Sequence, residues 1–371
     1  MEAIYIPKIV GGVPARLIEA LQAPPLAQML HLLRLAQTPP ERLAAALKQV
    51  FPGHVDEFAE DVIAKAIVAL RAGANDHTTD GSDPSDLKRP EFKELTRERT
   101  EVQLKVRVMP ISKYAPELTG KFTDVALIDK LRVTRAFTGF SRIKSAGSSA
   151  AVDMRQLRRT VPSDHERWLP ASVVFGEGVL LRLDADRLSA WEGRANVIAR
   201  AARLQARHDR AISAGHLEPR EISPRFVLLH TLAHALIQRL AFESGYSAAS
   251  IAERIYSSAE GEMAGVLLYT AAGDAEGTLG GLVRLGGIGR LEPVLRRALE
   301  RAKWCSADPI CMELGEGGGQ GPSSCNGAAC HNCALLPETA CEEFNRYLDR
   351  ALLIGSPTDP TVGFFEPYSS H

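Results

Sequence analysis

The stretch CHNCALLPETACEEFNRYLDRALL, residues 330–353, decides how the C-terminal part of this chain folds. It opens with CHNC at residues 330–333, a pair of cysteines separated by two residues, and Cys341 follows eight positions after the pair. A C-x2-C pair suits tetrahedral zinc because a tight turn points both thiolates at one ion. We therefore expect a small zinc-stabilised module at this end of the chain.

All six cysteines of the chain lie between residues 305 and 341. Disulfides and buried free thiols are the competing interpretations, and disulfides are disfavoured because no secretory signal is readable. Cys330, Cys333 and Cys341 are the predicted zinc ligands. The residue types leave the fourth ligand open among Cys311, Cys325 and Cys305. Four protein ligands close a zinc site, so we expect a structural ion and not a catalytic one.

The overall composition excludes several classes of protein. Lys+Arg number 44 and Asp+Glu 45, so the formal net charge of −1 provides no global field that would attract nucleic acid. Hydrophobic residues make up 45% and charged residues 24%, which excludes wholesale disorder. No apolar run is long enough for a membrane span, so we expect a cytoplasmic protein without membrane contact.

Upstream of the cysteines, the hydrophobic pattern changes along the chain. Apolar residues at helical spacing predict helices near the N-terminus, and the alternation of residues 102–108 predicts a half-buried strand. Further on, the Gly176-Glu177-Gly178 sequence predicts a hairpin turn, and residues 226–242 predict an apolar helix that ends at Gly245.

These patterns predict an α+β fold and not a doubly wound sheet. We expect five parts along the chain: a helical N-terminal region (1–75), a polar linker (76–90), a mixed α/β region (91–304), a zinc-binding module (305–350) and a C-terminal tail (351–371).

A basic stretch between residues 130 and 159 departs from the balanced total charge. It contains eight basic residues against one acidic residue, Asp153: Lys130, Arg132, Arg135, Arg142, Lys144, Arg155, Arg158 and Arg159. Such a local excess of positive charge can follow a phosphate backbone, although an isolated charge run is often only a solvated loop. We expect this stretch to contact DNA or an acidic partner.

Two histidines four residues apart, His230 and His234, share one face of the apolar helix. A metalloprotease would need Glu after the first histidine, and Thr231 stands there. We therefore expect core histidines. The alternative is an uncharacterised metal-dependent hydrolase that uses them with Asp274 or Glu276. No motor, nuclease or hydrolase motif is readable, so we expect a protein without its own enzymatic activity and with no small-molecule substrate.

The C-terminal sequence resembles the MrfA-like zinc-binding domain, and more specifically the DrmB-type subunits of the DISARM anti-phage system. The stretches that carry the resemblance are Asp308-Pro309-x-Cys311, Asn326-x-Ala328-Ala329-Cys330-His331-x-Cys333, Pro337-Glu338-Thr339-x-Cys341-Glu342, and the tail residues Asn345, Leu348, Asp349 and Arg350. Upstream, LLHTLAHALI and EGTLGGLV are also similar to that family.

The resemblance has consequences for both the metal site and the function. It implies Cys311 as the fourth zinc ligand, and it leaves Cys325 as a spare thiol. It also implies a non-catalytic accessory subunit that accompanies a helicase-like protein of the DrmA type, with DNA or partner binding as its contribution to anti-phage defence.

Overall fold

A computed structural model describes most of the chain. The described residues are 2–4, 15–22, 24–35, 38–56, 58–73, 85–137, 170–215, 217, 219–259, 263–270 and 280–365. No helix within these ranges is both long enough and apolar enough to cross a membrane.

Among the described residues of the N-terminal region there are five helices, and the helical spacing predicts helices here. They are α1 (Ala15–Gln22), α2 (Leu26–Leu35), α3 (Pro40–Val50), α4 (Pro52–Val55) and α5 (Glu60–Gly73). Pro40 and Pro52 each stand in the first turn of a helix, where the missing backbone N–H costs nothing. The buried side chains of this region, among them Leu17, Leu43 and Ile67, form a hydrophobic cluster of their own.

In the part of the remaining chain that the structure describes, one antiparallel sheet forms the centre. Its strands are β1 (Glu2–Ile4), β2 (Arg99–Thr100), β3 (Leu104–Pro110), β4 (Phe122–Ala136), β5 (Ala171–Leu183), β6 (Ile251–Ser258) and β7 (Met263–Thr270). The strand order is β2-β3-β4-β5-β7-β6, and β1 pairs with the end of β4. All pairs are antiparallel, which confirms the predicted α+β class.

The predicted hairpin at Gly176-Glu177-Gly178 is wrong, because β5 runs through these residues as one continuous strand. The glycines permit close packing instead of a turn. A Cβ atom on Gly176 would lie 1.5 Å from the carbonyl oxygen of Thr270, at the end of β7. The buried carboxylate of Glu177 accepts hydrogen bonds from the backbone N–H groups of Leu282 and Val283.

Eight more α-helices lie in the described part of the chain after the N-terminal region. They are α6 (Ser85–Leu95), α7 (Ala185–Glu192), α8 (Ala195–Ser213), α9 (Pro224–Ser244), α10 (Gly281–Leu285), α11 (Leu291–Ala302), α12 (Ile310–Glu316) and α13 (Arg350–Ile354). The apolar helix α9 packs against β6, β7 and α11. It ends where predicted, at Gly245, whose φ of 76° is the left-handed conformation that glycine adopts freely.

The predicted parts of the chain are joined more closely than separate modules would be. Residues 85–90 of the predicted linker belong to α6, and residues 2–4 pair with the central sheet. One hydrophobic core contains Val125 of the sheet, Leu232 of α9, Leu352 of α13 and Phe365 of the predicted tail. The C-terminal module is therefore built onto the sheet through α9.

Candidate metal centre

Four cysteine sulfurs converge where α11 ends and α12 begins. Cys305 follows α11, Cys311 lies in the first turn of α12, and Cys330 and Cys333 are the two ends of the tight turn at 330–333. We call Cys305, Cys311, Cys330 and Cys333 the four-cysteine cluster, because their Sγ atoms all lie within 4.8 Å of one another.

The distances between these sulfurs fit a tetrahedral zinc ion. The Sγ atoms are separated by 3.5 Å for Cys305 and Cys330, 3.8 Å for Cys330 and Cys333, and 3.9 Å for Cys311 and Cys333. Four sulfurs at the usual Zn–S length of about 2.3 Å would be about 3.8 Å apart. A disulfide would need about 2.05 Å. The cluster is thus positioned to hold zinc with four thiolates.

Hydrogen bonds reach the sulfurs of Cys311 and Cys333, and those to Cys311 favour its charged form. The backbone N–H of Cys330 lies 3.3 Å from Cys333 Sγ, and the Gln320 side chain donates to Cys311 Sγ at 3.4 Å. The bond with Cys333, together with the neighbouring Arg350 guanidinium, holds the pKa of Cys311 at about 5. Thiolates are the form that binds metal, and the surroundings of Cys311 favour that form. The shared hydrogen bond with Cys311 raises the pKa of Cys333, and burial raises the pKa of Cys305.

The buried Arg350 ties the cluster to the elements around it. Its guanidinium donates to the Ala302 carbonyl at 2.8 Å, to Asp308 Oδ1 at 2.8 Å and to Cys311 Sγ at 3.5 Å, and its Nε donates to the Ala328 carbonyl at 3.1 Å. The charge of Arg350 also offsets part of the negative charge that four thiolates retain around one Zn²⁺.

Helix α8 holds the other side of the module through two buried arginines, Arg200 and Arg207. Arg200 makes a two-pronged contact with the fully buried Asp349, at 2.6 and 3.1 Å. Arg207 donates to the carbonyls of Gly315, Gly317 and Asn326. The family-like tail residue Asp349 therefore has a structural role.

The predicted ligand set and the observed cluster differ at one position. Cys341 lies apart from the four-cysteine cluster, and Cys305, an alternate in the sequence analysis, occupies the fourth place beside Cys311, Cys330 and Cys333. The reason is the path of the chain: the end of α11 brings Cys305 to the turn at 330–333, whereas the segment after Cys333 runs toward α9 and β6.

Cys325, the other alternate for the fourth zinc ligand, lies outside the four-cysteine cluster. It is fully buried in the main hydrophobic core, and its thiol donates to the Ser323 carbonyl at 3.4 Å. Burial raises the pKa of the Cys325 thiol. These surroundings are those of an inert buried thiol.

Cys341 contributes to a second group of donors, with His230 and His234 from α9 and Glu253 from β6. His230 Nε2 lies 3.2 Å from Cys341 Sγ and 3.0 Å from Glu253 Oε1, and His234 Nε2 lies 3.6 Å from the same oxygen. We call these four residues the His-Glu-Cys cluster. Both histidines are buried as predicted, but they face a carboxylate and a thiol.

The electrostatics of the His-Glu-Cys cluster are strongly perturbed. Burial lowers the pKa of His230, but the Glu253 charge and the contacts with Cys341 and Glu253 raise it more, to about 10. Burial raises the pKa of Glu253, yet the charges of His230 and His234 lower it further, below its usual range. Glu253 carried no signal in the sequence, because it is brought to the histidines only by the packing of β6 against α9.

The arrangement of the His-Glu-Cys cluster does not support the hydrolase interpretation. All four donors of the His-Glu-Cys cluster come from the protein and are buried, so no open position is evident for a substrate among these described residues. Thr231, which stands where a metalloprotease has its glutamate, accepts a hydrogen bond from the Asp349 backbone N–H at 3.0 Å. Asp274 and Glu276 lie outside the described residues.

The basic stretch is described only at its beginning. Lys130, Arg132 and Arg135 lie on the final part of β4; the other five basic residues, Arg142, Lys144, Arg155, Arg158 and Arg159, lie outside the described ranges. The Lys130 ammonium lies 5.0 Å from the centre of the Phe175 ring on β5, and Arg132 donates to Gln103 at 2.6 Å.

Comparison with known proteins agrees with the zinc chemistry. Residues 232–334 match the family model of the MrfA Zn-binding domain, a range that contains the whole four-cysteine cluster. The DISARM protein DrmB of Bacillus paralicheniformis is 34% identical to this chain over 321 residues, which are 85% of this chain and 55% of DrmB. The chain thus spans about half the length of that curated relative. Both similarities confirm the resemblance drawn from the sequence.

Proposed function

We propose that this chain is a zinc-stabilised, non-catalytic subunit of a DISARM-like anti-phage complex, in which it contributes DNA or partner binding. The similarity to the DISARM protein DrmB over 85% of the chain supports the association with such a complex. A helicase-like protein of the DrmA type is the proposed partner.

The observation that carries the non-catalytic role is the composition of the four-cysteine cluster. Its four donors are all thiols, and four thiolates complete the coordination of a tetrahedral zinc ion. Arg350 and Gln320 occupy the space beside the sulfurs with hydrogen bonds to Cys311. An ion in such a site supports the fold, as a closed zinc site does in general.

The proposed contact surface is the β4–β5 arm, which we define as residues 130–136 and 171–176. In this arm, Arg132 lies directly opposite Phe175 across the two strands. Phe175 is 43% exposed, and Val173 on the same strand is 47% exposed. Cations beside exposed apolar and aromatic side chains are suited to a nucleic-acid strand, since the cations meet phosphates and the ring can stack on a base.

The DNA-binding part of the proposal is tested with the purified full chain and labelled single- and double-stranded DNA. We expect binding at low salt that weakens steeply as salt is added. The test variant replaces Lys130, Arg132 and Arg135 of the arm, together with Arg142 and Lys144 of the same basic stretch, with glutamine. Fluorescence anisotropy should show weaker binding and a shallower dependence of log affinity on log salt, by about one unit for each phosphate that the variant no longer neutralises.

The matched control removes the same number of charges from exposed positions elsewhere: Arg42, Lys65, Lys113, Arg210 and Arg296. It should bind DNA like the unmodified chain. The same titrations are repeated with a DrmA-type helicase. Failure to retain either form of DNA at low salt, alone and with the helicase, would rule out the DNA-binding proposal.

A further inference from the structure

We propose that the His-Glu-Cys cluster is a second metal site, in which His230, His234, Glu253 and Cys341 hold a structural zinc ion separate from the four-cysteine cluster. This inference does not rest on the DISARM association or on DNA binding. It follows from the geometry, burial and hydrogen bonding of the four side chains.

The distances between the donor atoms fit one tetrahedral ion. The four ligand atoms lie within 4.8 Å of one another, and three of the six pairs are 3.0, 3.2 and 3.6 Å apart. With Zn–N and Zn–O bonds of about 2.1 Å and a Zn–S bond of about 2.3 Å, the edges of the tetrahedron would be about 3.4–3.6 Å. Small movements of the side chains would therefore admit the ion.

The tautomer of His234 leaves the lone pair of its Nε2 available to bind a cation. Its Nδ1–H donates to the Ala334 carbonyl at 2.8 Å, so in the neutral ring Nε2 carries a lone pair. Nε2 lies 3.6 Å from Glu253 Oε1, an oxygen that carries negative charge. Within the described residues, neither His234 Nε2 nor Glu253 Oε2 has a hydrogen-bond partner, and both side chains are almost completely buried. A metal ion would satisfy His234 Nε2, and it would also satisfy Glu253 Oε2 when the carboxylate binds through both oxygens.

The bond from His234 to Ala334 is also the arrangement that metal-binding histidines use. Such a histidine usually donates its other ring N–H to a carbonyl or carboxylate, which fixes the orientation of the ring. Ala334 directly follows Cys333 of the four-cysteine cluster. The segment from Cys333 to Cys341 would thus be anchored by a metal at each end.

Cys341 is prepared to act as a thiolate. Its sulfur accepts backbone N–H groups from Glu343 at 3.4 Å and from Asn345 at 3.2 Å. The turn that directs these groups at the sulfur has positive φ angles of 52° at Phe344 and 61° at Asn345. Hydrogen bonds to the charged form of a thiol favour that form, and a cation nearby favours it further.

The donor types and the burial select the metal and its role. Imidazole and thiolate ligands suit zinc, whereas magnesium and calcium prefer oxygen donors only. Four protein ligands in the interior leave no position for a substrate, so the ion would join α9, β6 and the C-terminal module. One ion would cross-link three separate segments of the chain: residues 230–234, Glu253 and Cys341.

Zinc content per chain tests this site. The full chain, purified from zinc-supplemented medium and freed of loosely bound metal, should contain two zinc ions by elemental mass spectrometry. The variants Cys341→Ser and Glu253→Gln should each reduce the content by one. The matched control Cys325→Ser changes a buried thiol outside both clusters and should leave two ions. Cys341→His, which keeps four ligands, should also retain two.

A measurement on the unmodified chain covers the case in which the variants fail to fold. After exchange with ¹¹³Cd²⁺, the protein should give two cadmium resonances, one from an all-sulfur site and one from a site of mixed nitrogen, oxygen and sulfur ligands. A single all-sulfur resonance with one metal ion per chain would overturn the second site. That result would leave the DNA-binding proposal untouched, because it concerns other residues.

Discussion

At the scale of single residues, Arg350 connects the metal chemistry to the fold. One buried guanidinium contacts the last residue of α11, the Asp308 carboxylate and the Cys311 sulfur, and its Nε bonds to the Ala328 carbonyl. The same residue opens α13, which lies in the main hydrophobic core. Zinc binding and the packing of the C-terminal module are therefore coupled through a single side chain.

Replacing Arg350 with alanine should weaken zinc binding by the four-cysteine cluster. The Cys311 thiolate would lose both a hydrogen bond and a nearby positive charge, and outer partners of this kind are worth about 10- to 100-fold in metal affinity. Competition of the protein with a chelating dye measures the change. The control Arg296→Ala removes an exposed arginine from α11 and should leave the affinity unchanged. Equal affinities of the two variants would contradict this role.

The sequence predicted much of the site at this scale, and its limits have a physical cause. The turn at 330–333 was recognisable because its ligands are near neighbours in the chain. Cys305 and Cys341 exchanged their expected places because distance along the chain does not reveal which way a loop runs. Glu253 was missed because a glutamate on a strand gives no pattern until β6 is placed beside α9.

At the scale of elements, the glycines of β5 allow neighbouring segments to pack closely against the strand. Gly176 allows the end of β7 to approach, and Glu177 between the glycines accepts the backbone N–H groups at the start of α10. Tyr246 also donates to this carboxylate, at 3.0 Å. The strand therefore positions α10 against the sheet and provides partners for its buried N–H groups.

The variant Gly176→Ala should destabilise the protein strongly. The added methyl group would lie 1.5 Å from the Thr270 carbonyl oxygen, so β5 and β7 would have to separate locally. Overpacking of this kind costs about 3 kcal/mol of the free energy of unfolding. Urea denaturation measures it. The control Gly53→Ala, where no atom lies within 4 Å of the new methyl group, should change stability by less than about 1 kcal/mol.

A sequence pattern could not distinguish the two uses of glycine in this strand. Gly-Glu-Gly between apolar residues is typical of a hairpin, and local propensity alone favours that interpretation. The outcome was decided by a contact with Thr270, ninety-four positions further along the chain from Gly176. In contrast, α9 and its end at Gly245 were predicted correctly, because apolar periodicity and a capping glycine are local signals.

At the scale of the whole molecule, the structure has two regions with different hydrophobic cores. The N-terminal helices α1–α5 have a hydrophobic cluster of their own, whereas the C-terminal module shares its core with the sheet and α9. Zinc binding is folding free energy for the part of a protein that supplies the ligands. Loss of zinc should therefore affect the two regions unequally.

Removal of zinc by a strong chelator should loosen the C-terminal module first. Hydrogen–deuterium exchange should show reduced protection in residues 305–354, with protection of α3 and α5 retained. Addition of zinc should restore the original pattern, and a matched incubation without chelator serves as the control. A uniform decrease of protection along the chain, or no decrease at all, would contradict this division.

The class of the fold followed from the sequence, but the connections between its parts did not. Alternating and helical periodicities were enough to predict an α+β protein with a helical N-terminal region. They could not predict that residues 2–4 join the sheet or that Phe365 of the expected tail is buried beside Phe122, because such contacts link distant segments.

The role of the metal depends on whether Cys305, Cys311, Cys330 and Cys333 hold one structural zinc ion. Diffraction from a crystal of the full chain at the zinc absorption edge decides this. We expect an anomalous difference peak about 2.3 Å from each of these four sulfurs, with Cys325 outside the coordination sphere. No peak among the four sulfurs, or a peak in which Cys325 or Cys341 replaces Cys305, would show that the ligand set is wrong.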